Sequence, residues 1–384
     1  MKSGSPPVSP RLIVAQPWFT ARGHPAQSLL NTARILGASP DILYIVAAGS
    51  GDDHLQPIIK ELRALGEVRI LGAGKRGAMA TVQCLLEAVR LARGERVGRI
   101  FFMDAHLMAL AATDLLLRGL GLHRPGVSVL ALFAPEQVLR KRWQHVLLRR
   151  WLSARKAQLF LRTDELATAW RQVLSEVPGE AIDTLPSLEI PEGEGPLAGA
   201  SASGGGKRFG VIGQVRTGKG LEWLVPLFES SPDLGELRIE GAFYNEAQRQ
   251  SLPMVTAFSG FREGYIPDGQ LLARVIEVDY LLALYDGWDN RLEAATLYLA
   301  ARAGRPVICY DAGWCGRMIS EFGCGIAVAP GTRPDADFFR GLPAAGSQGY
   351  AALMAGAERF RLAHSGSARR AAFLSKLLVT PLSS

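Results

Sequence analysis

Cysteine is scarce in this chain. The four present, Cys84, Cys309, Cys315 and Cys324, follow neither paired zinc spacing nor a disulfide framework. They read as reduced, partly buried thiols. Long apolar runs are missing as well, since no stretch of roughly 18 uncharged apolar residues occurs. The N-terminus, with Pro6, Pro7 and Pro10 ahead of Leu12–Ala15, lacks the apolar core of a signal peptide. These absences lead to the expectation of a cytosolic protein. No His/Cys cluster stands at ligand spacing, so no metal and no cofactor is expected. No aromatic-interleaved RNA-binding signature or DNA-reading motif accompanies the basic residues, so nucleic acid is not the expected partner.

Hydrophobic residues make up 48% and charged residues 21% of the 384, the composition of an ordinary α/β protein. The length suits two domains of about 180–200 residues, each able to bury its own core. Pro191 to Gly206 carries two prolines and six glycines and cannot form a core, so it reads as a linker between domains 1–190 and 207–384. The net charge of +7 is uneven. Residues 1–200 carry 24 basic and 18 acidic side chains, whereas residues 201–384 carry 19 and 18. A basic first half points to an anionic partner, either a membrane surface or a phosphate-bearing acceptor.

Short apolar runs alternate with amphipathic segments along the first half. Strands are predicted near Leu12–Ala15, Ile42–Ala47, Val68–Leu71, Arg99–Met103, Val127–Leu132 and Gln158–Arg162. Helices are predicted over Pro25–Leu36, Ile58–Leu65, Ala78–Arg93, Leu107–Gly119 and Glu165–Glu176. This rhythm implies a parallel sheet with helices on both faces. It restarts after Lys207, with strands near Phe209–Ile212, Leu237–Glu240, Tyr280–Tyr285 and Val307–Tyr310. Tyr350–Leu378 reads as a helical region interrupted at Ser365-Gly366-Ser367.

Three signals in the second half fall in an order that suits a nucleotide site. The strand Phe209–Ile212 ends in Gly213-Gln214-Val215-Arg216-Thr217-Gly218-Lys219-Gly220. The strand Tyr280–Tyr285 opens onto Asp286-Gly287-Trp288-Asp289-Asn290-Arg291, with a helix expected from near Leu292. Gly304-Arg305-Pro306-Val307-Ile308 then reads as a helix stop and a buried strand. Junctions of this kind place N–H groups at the carboxyl end of a parallel sheet, where doubly wound folds bind phosphate. Gly213 to Lys219 also fits the first seven positions of a P-loop, but Gly220 replaces the Ser or Thr that would hold Mg²⁺.

The order and spacing resemble the C-terminal donor-binding domain of GT-B glycosyltransferases, especially the retaining family 4 group. Gly213, Lys219 and Gly220 match the first family motif, while Gln214 stands where an arginine is expected. Arg291 and Leu299 stand where the family keeps two glutamates, and Glu293 is the nearest acid. The resemblance implies two Rossmann-like doubly wound domains facing a cleft, with the last helix returning to the N-terminal domain. It also implies a nucleotide-diphosphate sugar as donor and retaining transfer without a protein nucleophile or metal.

Each candidate residue carries a plain structural reading beside the functional one. Lys219 neutralises a diphosphate, with Arg216 a second cation, or is a solvated lysine in a glycine turn. Gly287 permits close approach to a sugar while Asp286 or Asp289 accepts from its hydroxyls, or Asn290 merely caps the next helix. The Asp286–Asp289 spacing is wrong for an Asp-x-Asp metal pair. Glu293, placed in the first turn of that helix, binds sugar or ribose, or simply complements the helix dipole. Arg291 in the family position suits phosphate or an acidic sugar. In the first domain, Arg22, Gly23 and His24 follow the first strand where such folds close on phosphate or acceptor, and His106 follows Met103-Asp104-Ala105 where the family often lines its cleft; either histidine is otherwise a satisfied surface or core residue. The Val138–Lys156 segment interleaves basic residues with Trp143 and Trp151, so it reads either as a packed amphipathic helix or as an anionic-membrane surface.

The function expected from all this is transfer of a sugar to a polysaccharide, glycolipid or metabolite acceptor, by an enzyme that is cytosolic or peripheral at the membrane. Two other readings stay open: an inactive GT-B-like binding or scaffold protein, and a sugar-nucleotide epimerase.

Overall fold

The computed structural model describes residues 11–20, 25–48, 53–72, 77–93, 97–122, 125–154, 156–191, 206–287 and 289–378. The chain divides into two units. Unit 1 comprises Met1–Leu188 and Arg370–Ser384, and unit 2 comprises Glu189–Arg369. Ile190, which the sequence reading assigns to the first domain, is buried in the core of the second and bridges Ser365. Residues from Arg370 onward, the end of the last helix, group with unit 1. Apart from Pro191 and Gly206, the expected linker lies outside the described residues.

Unit 1 is built on seven parallel strands: β1 (Arg11–Phe19), β2 (Ile42–Ala48), β3 (Glu67–Gly72), β4 (Val97–Met103), β5 (Gly126–Ala131), β6 (Ala157–Leu161) and β7 (Ile182–Thr184). They lie in the order β3-β2-β1-β4-β5-β6-β7. Strands β2 and β5 are buried along their whole length, which is why they read as continuous apolar runs rather than alternating ones. The helix Leu107–Gly119 follows β4 and buries Asp114, whose carboxylate accepts from Trp151 Nε1 at 2.9 Å and from Arg118 at 2.9 Å. The helix Gly366–Leu378 ends against β7. There Lys376 donates to the Asp183 carboxylate at 3.0 Å and to the Thr184 carbonyl at 2.7 Å.

Unit 2 has six parallel strands: β8 (Arg208–Ile212), β9 (Glu236–Gly241), β10 (Phe261–Glu263), β11 (Tyr280–Ala283), β12 (Val307–Tyr310) and β13 (Gly325–Val328). Their order is β10-β9-β8-β11-β12-β13. Both sheets therefore run outward in opposite directions from a central pair, β1/β4 in one and β8/β11 in the other. A crevice opens at the carboxyl ends of such a pair, because the connecting helices depart to opposite faces. In unit 2 this pair is fixed by the Arg208–Asp279 ion pair at 2.8 Å. Phe209, Phe228, Tyr280, Phe339 and Tyr350 form an aromatic cluster beneath it.

The helix expected from Leu292 begins at Ala295, with Ala294 as its cap, so Glu293 precedes the helix rather than lying in its first turn. Asn290 does not cap it. Its carbonyl accepts from Trp314 N at 2.8 Å, which ties the loop to the helix Gly313–Phe322 instead.

One contact decides whether the β8 turn can form. At Gly241, φ +152°, a Cβ would collide with the Gly213 carbonyl. Gly241→Ala is therefore expected to destabilise the protein by about 3 kcal/mol, from backbone strain and overpacking together. Urea unfolding at matched m-values measures it, and a loss below about 0.5 kcal/mol would show that the turn yields freely.

Candidate functional site

The unit 2 crevice is closed by two loops that touch through backbone. Gly213 (φ +110°), Gly218 (φ +77°) and Gly220 (φ +74°) shape the first. A Cβ at Gly218 would stand 2.6 Å from the Asp286 carbonyl oxygen, and one at Gly220 would stand 2.8 Å from that of Leu284. Only glycine allows both the positive φ and this approach. Side chains anchor the loop further. The Gln248 carboxamide oxygen accepts from Thr217 N at 2.6 Å and Thr217 Oγ1 at 2.9 Å, and the Glu222 carboxylate accepts from Gly218 N at 3.1 Å. Gly220 then starts the helix Leu221–Ser230, whose first N–H groups lie beside the loop.

Lys219 sits where this geometry converges. Its ammonium stands 5.6 Å from the Tyr285 ring centroid and, among the described residues, has no hydrogen-bond or ion-pair partner. Burial first, and the nearby Arg216 charge second, push its pKa down to about 8. Two cations thus share one half-buried turn. Tyr285 donates to or accepts from Thr296 Oγ1 at 2.6 Å, and burial raises its phenol to about 12, so it stays neutral beside them. Gln214, in the family's arginine position, is exposed.

The second loop is internally paired. Arg291 makes a bidentate pair with Asp289, at 2.8 and 2.9 Å, and the Asp289 carboxylate also accepts from Arg291 N at 3.1 Å. That pairing holds Asp289 below the usual carboxylate range. Asp286 and Gly287 are exposed. The Asp286 carboxylate faces the Tyr310 phenol, which burial and then that negative charge raise to about 12. Glu293 faces the buried Tyr298 hydroxyl, whose ionisation is opposed by burial first and by Glu293 second. Trp288 lies outside the described residues. An Asp-x-Asp pair does occur further on, at Asp335 and Asp337. Asp335 caps the helix Ala336–Gly341 by accepting from Phe338 N at 2.9 Å, and Asp337 pairs with Arg340. Among the described residues, no group of three or more His, Cys, Asp or Glu side chains could hold a metal.

In unit 1, Arg22, Gly23 and His24 lie outside the described residues. His106 is exposed and caps the helix Leu107–Gly119, its Nδ1 accepting from Ala109 N at 3.2 Å. With Nδ1 accepting, the neutral ring carries its proton on Nε2, which leaves a donor and not a base for any ligand. The residue that the sequence reading passed over is Asp104. It follows β4 at the crevice of the first sheet, is buried, and is the one non-glycine residue with positive φ (+63°) among the described residues. Burial pushes its carboxyl up to about 7, against a partly offsetting hydrogen bond from Ala105 N. Its position, an acid directly after a buried strand, was the available signal.

No family model matches the chain, and no curated protein matches it. Solved structures do. HepE of Anabaena in complex with UDP is 12% identical, with 96% of this chain and 99% of that chain covered and a TM-score of 0.68. The alpha,alpha-trehalose 6-phosphate synthase of Burkholderia multivorans is 14% identical, over 96% and 98%, with a TM-score of 0.62. The N-terminal domain of Candida albicans trehalose-6-phosphate phosphatase is 11% identical, over 98% of both chains, with a TM-score of 0.68. These likenesses define the class: two Rossmann-like units with parallel sheets, the GT-B fold, as in solved glycosyltransferases. At such identities they establish fold and nothing finer.

The Asp104 carboxyl gives a pH test of the unit 1 crevice. Its folded pKa, about 7, lies above its ordinary value of 3.8. Folding therefore favours the protonated acid. Stability is greatest below pH 4 in this respect and is lost as pH rises toward 7, by on the order of 4 kcal/mol in full. Asp104→Asn keeps the shape and tolerates the left-handed backbone, so it should gain on wild type over that window. Urea unfolding curves whose difference stays flat between pH 4 and pH 8 would mean that the carboxyl is not held out of water.

Proposed function

We propose that this protein is a glycosyltransferase that takes its sugar from a nucleotide-diphosphate donor held in the unit 2 crevice. The observation that carries the reading is the pairing of Lys219 and Arg216 in one half-buried glycine turn at the switch point of the sheet. Like charges placed together in partial burial repel each other and pull down the lysine pKa, and a bound dianion reverses both effects.

In this reading Gly213, Gly218 and Gly220 let the backbone approach the diphosphate, and the first turn of the helix Leu221–Ser230 supplies N–H groups to it. Lys219 and Arg216 stabilise the charge that grows on the leaving diphosphate as the sugar bond breaks. Exposed Asp286 and Gly287 would meet sugar hydroxyls, with Glu293 accepting from sugar or ribose once a ligand competes for it. Arg291 and Asp289, bound to each other, hold the loop in shape; a donor that recruited Arg291 would have to break that pair. On unit 1, Asp104 and the outer nitrogen of His106 are the groups offered to an acceptor. Transfer is taken as retaining and independent of metal, so EDTA should leave turnover intact. The enzyme is taken as cytosolic.

The Lys219 role is checked by calorimetric titration with UDP and its counterparts with other bases. Loss of one charge-assisted contact in Lys219→Ala should weaken diphosphate binding by roughly 1.5–3 kcal/mol, about one to two orders of magnitude. Because the free lysine titrates near 8, wild-type affinity should fall above that pH, with proton uptake on binding, and the alanine variant should lose this dependence. Equal affinity and equal pH profiles in the two proteins would remove Lys219 from the site. Donor binding without transfer or hydrolysis, across a panel of acceptors, would favour a binding protein instead.

A further inference from the structure

The helix Arg142–Leu152 in unit 1 has two unlike faces. Leu148, Trp151 and Leu152 are buried, and the Trp151 indole is tied to Asp114. The opposite face carries Trp143 at 54% exposure and Val146 at 48%, one helical turn apart. Val173 is 42% exposed. Val146 and Val173 line the same groove, about 530 Å³ in volume, and Arg140, Lys141, Arg142 and Arg149 line it with them.

The charges around this groove are unbalanced. Arg149 pairs with Glu176, but Arg140, Lys141 and Arg142 are exposed and make no ion pair among the described residues. Their backbone is nonetheless held in place: the Gln144 carboxamide oxygen accepts from the N–H groups of Arg140 and Lys141, both at 2.8 Å. Fixed cations around a concave floor suit phosphate groups. An exposed tryptophan with two exposed valines beside those cations costs free energy in water, and a soluble anion would leave that cost in place. A surface that is anionic outside and apolar a few ångströms deeper satisfies both, since indole rings settle at the headgroup boundary while basic side chains meet the phosphates.

We infer that this face of unit 1 docks on an anionic phospholipid bilayer, with headgroup phosphates seated in the groove and Trp143, Val146 and Val173 at the acyl boundary. The inference rests on unit 1 alone and goes beyond the donor site proposed above.

Vesicle flotation of the full-length chain tests it, using phosphatidylcholine vesicles with and without phosphatidylserine, at low and high salt. The wild type should float only with phosphatidylserine and only at low salt. The triple variant Arg140→Gln, Lys141→Gln, Arg142→Gln should lose about fivefold in partitioning per charge, on the order of 100-fold in all. Trp143→Ser should weaken flotation while leaving its salt dependence unchanged. All four positions are exposed, and UDP titration of each variant checks that the fold and the donor site are intact. A wild type that stays soluble at low salt, or a triple variant that floats like wild type, overturns the inference. So does saturable binding of inorganic pyrophosphate to the groove without flotation. Failure of wild-type UDP binding bears on the donor proposal and leaves the flotation result readable.

Discussion

The contact between two loop backbones, Gly218 and Gly220 against the carbonyls of Asp286 and Leu284, is the constraint on which the candidate donor site depends. A parallel sheet of this order must open at the β8/β11 pair, and any loop crossing the opening has to reach the opposite edge. Here it does so with no side chain between the two backbones. Lys219, between the glycines, is thereby fixed over Tyr285. The same architecture leaves the helix at Leu221 beginning beside the loop, so cation, dipole and close backbone approach arise from one turn.

That placement is unfavourable without a ligand. A lysine drawn out of water next to an arginine loses part of its charge stabilisation, which is what the pKa near 8 expresses. Nothing in the packing of unit 2 requires it, since the aromatic cluster and the Arg208–Asp279 pair hold the sheet from below. The second loop behaves oppositely. Arg291 and Asp289 satisfy each other, and Glu293 is turned to Tyr298. The recognisable motif and the unpaired lysine therefore coincide in the first loop, while the charged groups of the second are paired or turned to neighbours.

Much of the fold was legible because strands and helices here differ in period. Pro25–Leu36 and Leu107–Gly119 carry helical spacing legible in the sequence, the first opened by Pro25; the cap of the second, His106, shows only in the structure. Val307–Tyr310 was marked by Pro306 and an unbroken apolar run. The strands missed in unit 2 had no such signal. Phe261–Glu263 is three residues long at a sheet edge, and Gly325–Val328 begins with a glycine whose missing Cβ makes room for the Val307 carbonyl. The helix start at Ala295 was misplaced because Asn290 looks like a cap; its carbonyl instead serves Trp314, a contact made by tertiary structure. At the site, glycine spacing was readable from sequence. The Asp289–Arg291 pairing, the Tyr285 platform and the depressed lysine were not, since the first depends on the folded shape of its loop and the other two on burial among packed segments.

Asp104 bears on where unit 1 does its work. Glycine would adopt φ +63° at lower cost, and asparagine would avoid burying an acid, so neither backbone nor packing calls for aspartate there. A residue that breaks two local preferences at the opening of a Rossmann sheet, with no compensating ion pair among the described residues, is the kind of exception that folds tolerate at sites of function. It stands two residues before His106, whose ring is committed through Nδ1 to capping and can only donate outward. An acid whose pKa burial lifts to about 7 and an imidazole N–H two residues on then stand at the unit 1 crevice, while unit 2 presents cations at its own. The two switch points share one topology but differ in their polar groups, donors at one and cations at the other, and the proposed transfer from a diphosphate donor to a hydroxyl acceptor would use both.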